Sequence, residues 1–309
     1  MKNKTNFMTK TWVIVVGAMI CCTLWGSAFP CIKIGYRMME IAAADTASQI
    51  LYAGYRFTLA GVLTIVLGSI LQRKILLPKR SSIGKIGLLS LLQTVLQYLF
   101  FYIGLAHTTG VKASIIEAVS TFVAILVAGY LFHQETVTSR KMLGCLIGFA
   151  GVVLVNVAGS GMDFHFSPAG DGCILLSTVA YAFSSVCMKR FSQKEDPVML
   201  SGYQFIFGGI VMIACGAAMG GHLKAFTASA AALLIYMAMI SAVAYSLWGM
   251  LLKYNPVSKV TVFGFMNPVI GVILSALLLN ETESLGVSSV LALGLVCVGI
   301  YIVNAKDKD

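Results

Sequence analysis

Glu117 is the residue in this sequence with the clearest capacity for chemistry. It lies inside an apolar run, between Ile115-Ile116 and Ala118-Val119. A charged carboxylate without a partner is costly in such surroundings, so its presence indicates a use. It could bind and release a proton during a working cycle, or pair with the ammonium group of a bound molecule. Alternatively it lies near the end of its helix, where water or Lys112 would satisfy it, and the sequence leaves both interpretations open.

Arg56 is the corresponding base, about eight residues into another apolar run and a turn or two from its outer end. Its planar guanidinium could bind a carboxylate through two parallel hydrogen bonds, or it could pair with Glu117. The alternative to a binding role is structural pairing, or extension of the side chain to the edge of the apolar layer. Together the two charges would suit a small zwitterion such as an amino acid.

Familiar catalytic motifs are missing from the sequence. It has no Walker A loop and no H-E-x-x-H, and its apolar runs hold no Asp pair and no Ser/His set at catalytic spacing. Direct use of ATP and an enzymatic function are therefore not expected, and no cofactor is predicted. The eight cysteines lie in apolar runs or at their edges without a C-x-x-C pair, which is typical of core residues rather than of disulfides or metal ligands.

Composition places the chain in a lipid bilayer. Of its 309 residues, 58% are hydrophobic and 11% are charged, and the mean hydropathy is +0.88. Too few polar side chains are present to cover the surface of a soluble protein. The net charge of +10 is not arranged as a basic stripe with interleaved aromatic residues, so nucleic acid is not expected as a partner.

Apolar runs long enough to cross a bilayer predict an all-α integral membrane protein with ten transmembrane helices. The predicted spans are residues 12–34, 48–71, 86–106, 111–132, 141–157, 170–188, 198–219, 229–252, 260–279 and 286–303. The connections between them are short, so no soluble domain is attached.

An internal duplication relates the two halves of the chain. Gly54-Tyr55-Arg56-Phe57 is repeated as Gly202-Tyr203-Gln204-Phe205, and each segment has a second glycine seven residues after its first. In the same way Trp25 of the first span corresponds to Tyr181 of the sixth. Weak internal similarity of this kind is expected of many transporters.

The duplication predicts two five-helix repeats, residues 1–157 and 158–309. Because five is odd, the two repeats must cross the membrane in opposite senses. If the N-terminus is cytoplasmic, most Lys and Arg residues fall in cytoplasmic loops, which places both termini in the cytoplasm. Two inverted five-helix repeats provide a physical basis for alternating access, since exchanging the packing of the halves opens a central cavity to either side.

Several segments resemble those of a known family. They are Trp25-Gly26-Ser27-Ala28-Phe29 in the first span, Tyr55-Arg56-Phe57 in the second, and the helix, Glu-Thr, loop and helix units around Glu135 and Glu281. With the ten spans, they make the chain similar over its whole length to the EamA-type branch of the drug/metabolite transporter superfamily. The resemblance implies an inner-membrane carrier, usually an exporter of amino acids, related metabolites or toxic organic compounds. It also implies a substrate cavity lined by helices one, three, four, six, eight and nine.

Aromatic, amide and hydroxyl residues on these implied cavity helices are the predicted substrate contacts, together with Glu117. Aromatic rings could hold an apolar or cationic substrate, and buried amides need partners across helices or in a hydrated cavity. The alternative for each is packing. The predicted substrate-binding residues are Trp25, Ser27, Gln97, Tyr98, Tyr102, Glu117, Tyr181, Ser184, Tyr245, Trp248 and Asn267.

Four further residues are predicted to act in gating. Pro30 and Pro268 should interrupt helices that the resemblance assigns to the cavity, because proline lacks a backbone N–H. Glu135 and Glu281 close their helices at opposite membrane faces, where each could cap a neighbouring helix or pair at a gate.

The sequence therefore predicts a secondary transporter that exports amino acids or related small metabolites, coupled to protons through Glu117 or Arg56. The alternatives are a carrier for drugs or organic cations and a flippase for lipid-linked substrates. The predicted partners are a small-molecule substrate and the lipid bilayer. Gly144-x-x-x-Gly148 with Gly151 would allow close helix packing, either within the chain or in a homodimer.

Overall fold

The computed structural model describes residues 7–157, 166–224, 227–279 and 287–305. Throughout these ranges the regular structure is helical, without strands, and ten helices are long and apolar enough to cross a membrane. They are α1 (Thr11–Met38), α2 (Thr46–Leu71), α3 (Arg80–Leu105), α4 (Lys112–Leu131), α5 (Ser139–Val157), α6 (Pro168–Ser192), α7 (Pro197–Ala218), α8 (Ala228–Tyr254), α9 (Val257–Leu274) and α10 (Val287–Asn304). The chain is a multi-pass membrane protein, as its hydropathy predicts.

Polar residues at the ends of the apolar runs fix where several helices begin. The carboxylate of Asp45 accepts a hydrogen bond from the backbone N–H of Ser48 at 3.0 Å, and Asp196 does the same for Val198 at 2.9 Å. Thr227 caps α8 through its hydroxyl. Each cap satisfies an N–H group that the first turn of a helix leaves without a partner.

The repeated glycine motif forms the crossing of α2 with α7. A Cβ added at Gly61 would lie 2.5 Å from the carbonyl oxygen of Gly202, and one added at Gly209 would lie 2.9 Å from the carbonyl oxygen of Gly54. Each glycine of one repeat thus faces a glycine of the other. The two backbones approach too closely for any larger residue, which is the physical reason that the motif is present twice.

A second crossing joins α5 to α10 in the same reciprocal way. A Cβ at Gly144 would lie 2.9 Å from the carbonyl oxygen of Gly299, and one at Gly151 would lie 2.7 Å from that of Ala292. The closely spaced glycines of α5 are therefore used within the chain.

The first helix of each repeat packs on helices of the other repeat. α1 packs on α8 and α9 of the second repeat, and its counterpart α6 packs on α3 and α4 of the first. The stacked rings of Phe57 and Phe205, 5.3 Å apart and inclined by only 6°, are equivalent residues of the two repeats that meet each other. The fold consists of two related halves in which each half packs mainly against the other.

Several membrane-spanning helices depart from regular α geometry over part of their length, among them α3, α4 and α9. α3 is wound as a π-helix over Ser90–Leu96, and α4 over Val127–Leu131. α9 passes through a 3-10 turn, Val262–Phe265, just before Pro268, whose ring would clash with a carbonyl one turn earlier. The expected interruption at Pro30 is wrong, because α1 runs unbroken through it. One missing backbone hydrogen bond is tolerated in a long membrane helix packed against its neighbours.

Candidate functional site

A central cavity of about 160 Å³ lies between the two halves. Its walls come from α1, α3, α4, α6, α8 and α9, the helices that the family resemblance implied, and Arg56 of α2 joins them. Three helices from each repeat therefore surround one space near the middle of the bundle. The site is shared by both halves, and neither could form it alone.

Nine of the predicted substrate contacts lie around this cavity. They are Trp25, Gln97, Tyr98, Tyr102, Glu117, Tyr181, Tyr245, Trp248 and Asn267. They come from six different helices, so the fold brings together residues that are far apart in sequence. Their role in binding stays a prediction.

Ser27 and Ser184 are not brought to the cavity. The hydroxyl of Ser27 donates to the carbonyl of Leu24 at 2.7 Å and lies 3.4 Å from the hydroxyl of Tyr236, which is exposed on the outside of the bundle. Ser184 is fully buried and donates to the carbonyl of Tyr181 at 2.7 Å. Both hydroxyls satisfy the carbonyl three residues earlier, as serines in helices often do.

The aromatic residues form one continuous network across the two repeats. Trp25 packs edge-on against Tyr245 and Trp248, with ring centres 5.1 and 5.0 Å apart. The hydroxyls of Tyr98 and Tyr245 are 3.0 Å apart, which joins α3 to α8. Phe57 lies 4.4 Å from the ring of Tyr98. These edge-on and tilted contacts pack the rings against one another, so this part of the cavity wall is aromatic.

Glu117 lies on the cavity wall, partly buried. Lys112, the nearest base in sequence, forms an ion pair with Asp171 at 3.5 Å instead. Within the described ranges Glu117 is in no ion pair, and neither is Arg56. The two opposite charges therefore line one cavity without neutralising each other directly.

Polar atoms without partners are concentrated around this space. Buried atoms that lack a hydrogen-bond partner in the described structure include three donors, the ring N–H groups of Trp25 and Trp248 and Nε of Arg56, and two acceptors, the amide oxygens of Gln97 and Asn267. Buried polar groups nearly always have a partner, so each of these calls for water or a bound molecule.

The side of the cavity nearer the chain termini is closed by packed side chains. A large apolar cluster there includes Cys22, Met188 and Phe263, each at most 4% exposed. Lys189 donates to the carbonyl of Leu252 at 3.1 Å, which ties α6 to the end of α8. The cavity is therefore closed toward this face.

Glu135 holds the same closed face together. Its carboxylate accepts hydrogen bonds from the backbone N–H and the hydroxyl of Ser258, the former at 2.9 Å, and pairs with Lys141 at 2.9 Å. It therefore caps the start of α9 and pairs with a base at once, the two contacts that its position suggested. The corresponding Glu281 lies outside the described residues.

Sequence reasoning missed the small hydroxyl residues of the cavity wall. Thr121, Ser177 and Ser241 all line it. Each is four positions from a residue that was predicted, namely Glu117, Tyr181 and Tyr245. Residues four apart share a helix face, so the spacing could have identified them.

The fold and the site define a class, the membrane transporters built from two inverted helical repeats. The profile of the EamA-like transporter family matches residues 12–157 and 168–305. The chain belongs to the EamA-like transporter family.

Similar proteins carry names of the same kind. The chain is 27% identical over 303 residues to an "uncharacterized transporter" of Archaeoglobus fulgidus, covering 96% of this chain and 99% of that protein. It is 28% identical to the "uncharacterized inner membrane transporter YedA" of Escherichia coli K12, covering 92% and 90% of the two chains. A solved crystal structure superposes with a TM-score of 0.77 over 94% of this chain and 96% of the other, at 16% identity, which shows a shared fold alone.

Proposed function

We propose that this transporter exports amino acids or related small metabolites by alternating access. The observation that carries the proposal is the central cavity with one base, Arg56, and one acid, Glu117, in its wall. A zwitterion presents one carboxylate and one ammonium group, and could satisfy both charges in a single pose. The partnerless N–H groups and amide oxygens nearby would then supply hydrogen bonds for orientation.

Transport is driven by a gradient, since the sequence has no ATP-binding motif. Glu117 is the coupling residue in this proposal, because a carboxylate on a cavity wall can exchange protons with water when the cavity is open. Arg56 is the second candidate for coupling. Proton binding at Glu117 and substrate binding would then depend on each other.

The proposed gate on the termini side is Glu135 with its partners Ser258 and Lys141. Breaking these contacts would free the start of α9 and allow this face to open. Pro268, beside the 3-10 turn of α9, provides a place for that helix to bend, and Glu281 is proposed to act at the gate on the opposite face. We place the protein in the inner membrane with both termini cytoplasmic, supported by the distribution of Lys and Arg.

A carrier of organic cations is the second candidate, favoured by the aromatic walls around Trp25 and Tyr245. The buried positive charge of Arg56 opposes it, because a cation would have to enter beside an unneutralised guanidinium. A cavity of about 160 Å³ is small for a lipid-linked substrate.

Efflux from cells that overexpress the protein tests the proposal. Cells are preloaded with a labelled amino-acid mixture, and the loss of each amino acid is followed with and without a protonophore. We expect faster loss of particular amino acids, and slower loss when the proton gradient is collapsed. Unchanged loss of every amino acid would reject the export of amino acids, and accelerated loss that resists the protonophore would reject proton coupling.

A further inference from the structure

Arg56 is a buried base on the cavity wall. It is 3% exposed and lies near the middle of α2, so its side chain does not extend to either membrane face. A guanidinium keeps its proton under all ordinary conditions. A full positive charge is therefore held inside the membrane-spanning bundle.

This charge has no counterion in the described parts of the chain. Arg56 is in no ion pair and donates no side-chain hydrogen bond there, and its Nε is a buried donor without a partner. Buried charges are normally paired, because leaving one unpaired is costly. The partner that the site requires must therefore be supplied by water or by a bound molecule.

Two aromatic rings lie close to the guanidinium. Its central carbon lies 4.3 Å from the ring of Phe57 and 5.7 Å from that of Tyr98. Phe57 is itself fully buried and stacked on Phe205. The rings stabilise the cation without using its N–H groups, which leaves the planar donor fork free to bind an anion with two parallel hydrogen bonds.

The equivalent position in the second repeat shows that the crossing does not need a base. Gln204 occupies it, fully buried, and accepts a hydrogen bond from the hydroxyl of Thr94 at 2.6 Å. Both residues lie one position before a stacked phenylalanine on a glycine-lined helix crossing. A neutral amide occupies the equivalent place at Gln204, so the helix crossing itself does not require a positive charge there.

Glu117 limits which anion can bind. It lines the same cavity as Arg56 and Tyr98, so the acid and the base face one shared space. A phosphate dianion would be repelled by Glu117, whereas a monovalent carboxylate is neutralised by Arg56 alone. An ammonium group on the same molecule would then offset Glu117.

We propose that Arg56 is the carboxylate-binding residue of the cavity and that it selects substrates with a free carboxylate against the corresponding amines. The inference deepens the proposed function and rests on it for the identity of the cavity as the transport site. Arg56 thereby separates amino-acid-like substrates from organic cations of the same shape.

Ligand binding to the purified protein tests this without any transport. Trp25 and Trp248 line the cavity, so tryptophan fluorescence reports on its occupancy. The probes are the protein amino acids other than tryptophan and tyrosine, whose own fluorescence would interfere, and, for each one that binds, the decarboxylated amine, for example isoamylamine for leucine and phenethylamine for phenylalanine. We expect amino acids to bind at least about tenfold more tightly than their amines, since hydrogen bonds to a charged group are lost with the carboxylate.

Arg56→Gln should remove this preference, and Arg56→Lys should retain part of it, because a lysine keeps the charge but not the fork. The matched control is Arg37→Gln at the exposed end of α1, which should bind like the wild type. If Arg56→Gln does not fold, the preference for amino acids over amines is compared between the wild type and Arg56→Lys. Amines that bind the wild type as tightly as amino acids, an undiminished preference in Arg56→Gln, or no binding by any carboxylate in the panel would overturn the inference.

The outcome is distinguishable from a failure of the proposed function. A carboxylate preference that depends on Arg56, found together with unchanged efflux, would leave the binding site standing and reject export. Efflux of amino acids together with binding that does not depend on Arg56 would support export and reject the role of Arg56 as the carboxylate-binding residue.

Discussion

Charged residues in this membrane protein fall into two groups, those in ion pairs and those that line the cavity. Asp171 has Lys112, Glu135 has Lys141, and Glu195 has Lys85 at 2.6 Å. These pairs lie toward the ends of the helices, where they hold neighbouring segments together. Glu117 and Arg56 line the cavity and form no such pair among the described residues. The structure thus separates charges that stabilise the fold from charges that are available to a ligand.

Replacing Glu117 with Gln should abolish coupled transport while the protein still inserts and folds. The amide keeps the size and polarity of the side chain but cannot carry a proton or pair with an ammonium group. The measurement is efflux of the amino acids identified in preloaded cells, at equal amounts of protein in the membrane.

Glu40→Gln is the matched control, because Glu40 is exposed after the end of α1. It should transport at the wild-type rate. Normal, protonophore-sensitive efflux by Glu117→Gln would remove Glu117 from the mechanism.

Sequence alone identified Glu117 and Arg56 as candidate charges, but it did not show whether the two form an ion pair. An acid or a base in an apolar run stands out by its type, so Glu117 and Arg56 were evident. Whether they pair with each other depends on the distance between α2 and α4. That distance cannot be derived from the positions of residues along a single helix. For the same reason the sequence places Ser184 in the sixth helix but does not show that its side chain lies away from the cavity.

At the scale of helices, the repeated glycines explain most of the tight packing. Gly61 faces Gly202 and Gly54 faces Gly209 across one crossing, so four positions admit no side chain. The duplication was visible in the sequence, but the fact that each motif packs against its own copy was not. Similarity shows that two segments are related, and only the fold shows that they touch.

Gly61→Ala should destabilise the protein by about 1–3 kcal/mol. The added methyl group would lie 2.5 Å from the carbonyl oxygen of Gly202, so the two backbones must move apart. Thermal unfolding of the purified protein in detergent measures the effect as a lower midpoint.

Gly87→Ala in α3 provides the matched control, since nothing lies within 4 Å of an added Cβ there. It should leave stability unchanged or raise it by up to about 1 kcal/mol through better helix propensity. Equal midpoints for Gly61→Ala and Gly87→Ala would show that α2 and α7 do not cross as closely as described.

The irregular segments within helices could not be predicted. Hydropathy measures the length and polarity of a span, and a π-helix over Ser90–Leu96 changes neither. The irregularity expected at Pro268 is present in α9 as the 3-10 turn Val262–Phe265, whereas α1 runs unbroken through Pro30. The same residue type has different effects because the surrounding packing decides whether the freed carbonyl group is tolerated.

At the scale of the whole molecule, equivalent positions of the two repeats differ in whether they line the cavity. Ala28 of α1 lines it, while Ser184, which follows Tyr181 as Ala28 follows Trp25, is fully buried on the closed side. If the halves exchange their packing, Ser184 should take the place that Ala28 has now. The predicted substrate contact at Ser184 would then belong to the opposite conformation.

Single cysteines at positions 28 and 184 should therefore react with a small charged thiol reagent from opposite sides of the membrane. Ala28→Cys and Ser184→Cys are each made in a variant without the eight natural cysteines. Labelling is compared in right-side-out and inside-out vesicles. Ala53→Cys, fully buried in α2, is the unreactive control. Reaction of both positions from the same side would contradict an exchange between the repeats.

The α2–α7 crossing also affects how the protein is made. Gly54 finds its partner, Gly209, only after α3 to α6 and most of α7 have been synthesised. At roughly 5–20 residues per second, on the order of ten seconds pass between the synthesis of Gly54 and that of Gly209, so this crossing cannot form earlier. The packing of α2 is therefore complete only when the second repeat is present.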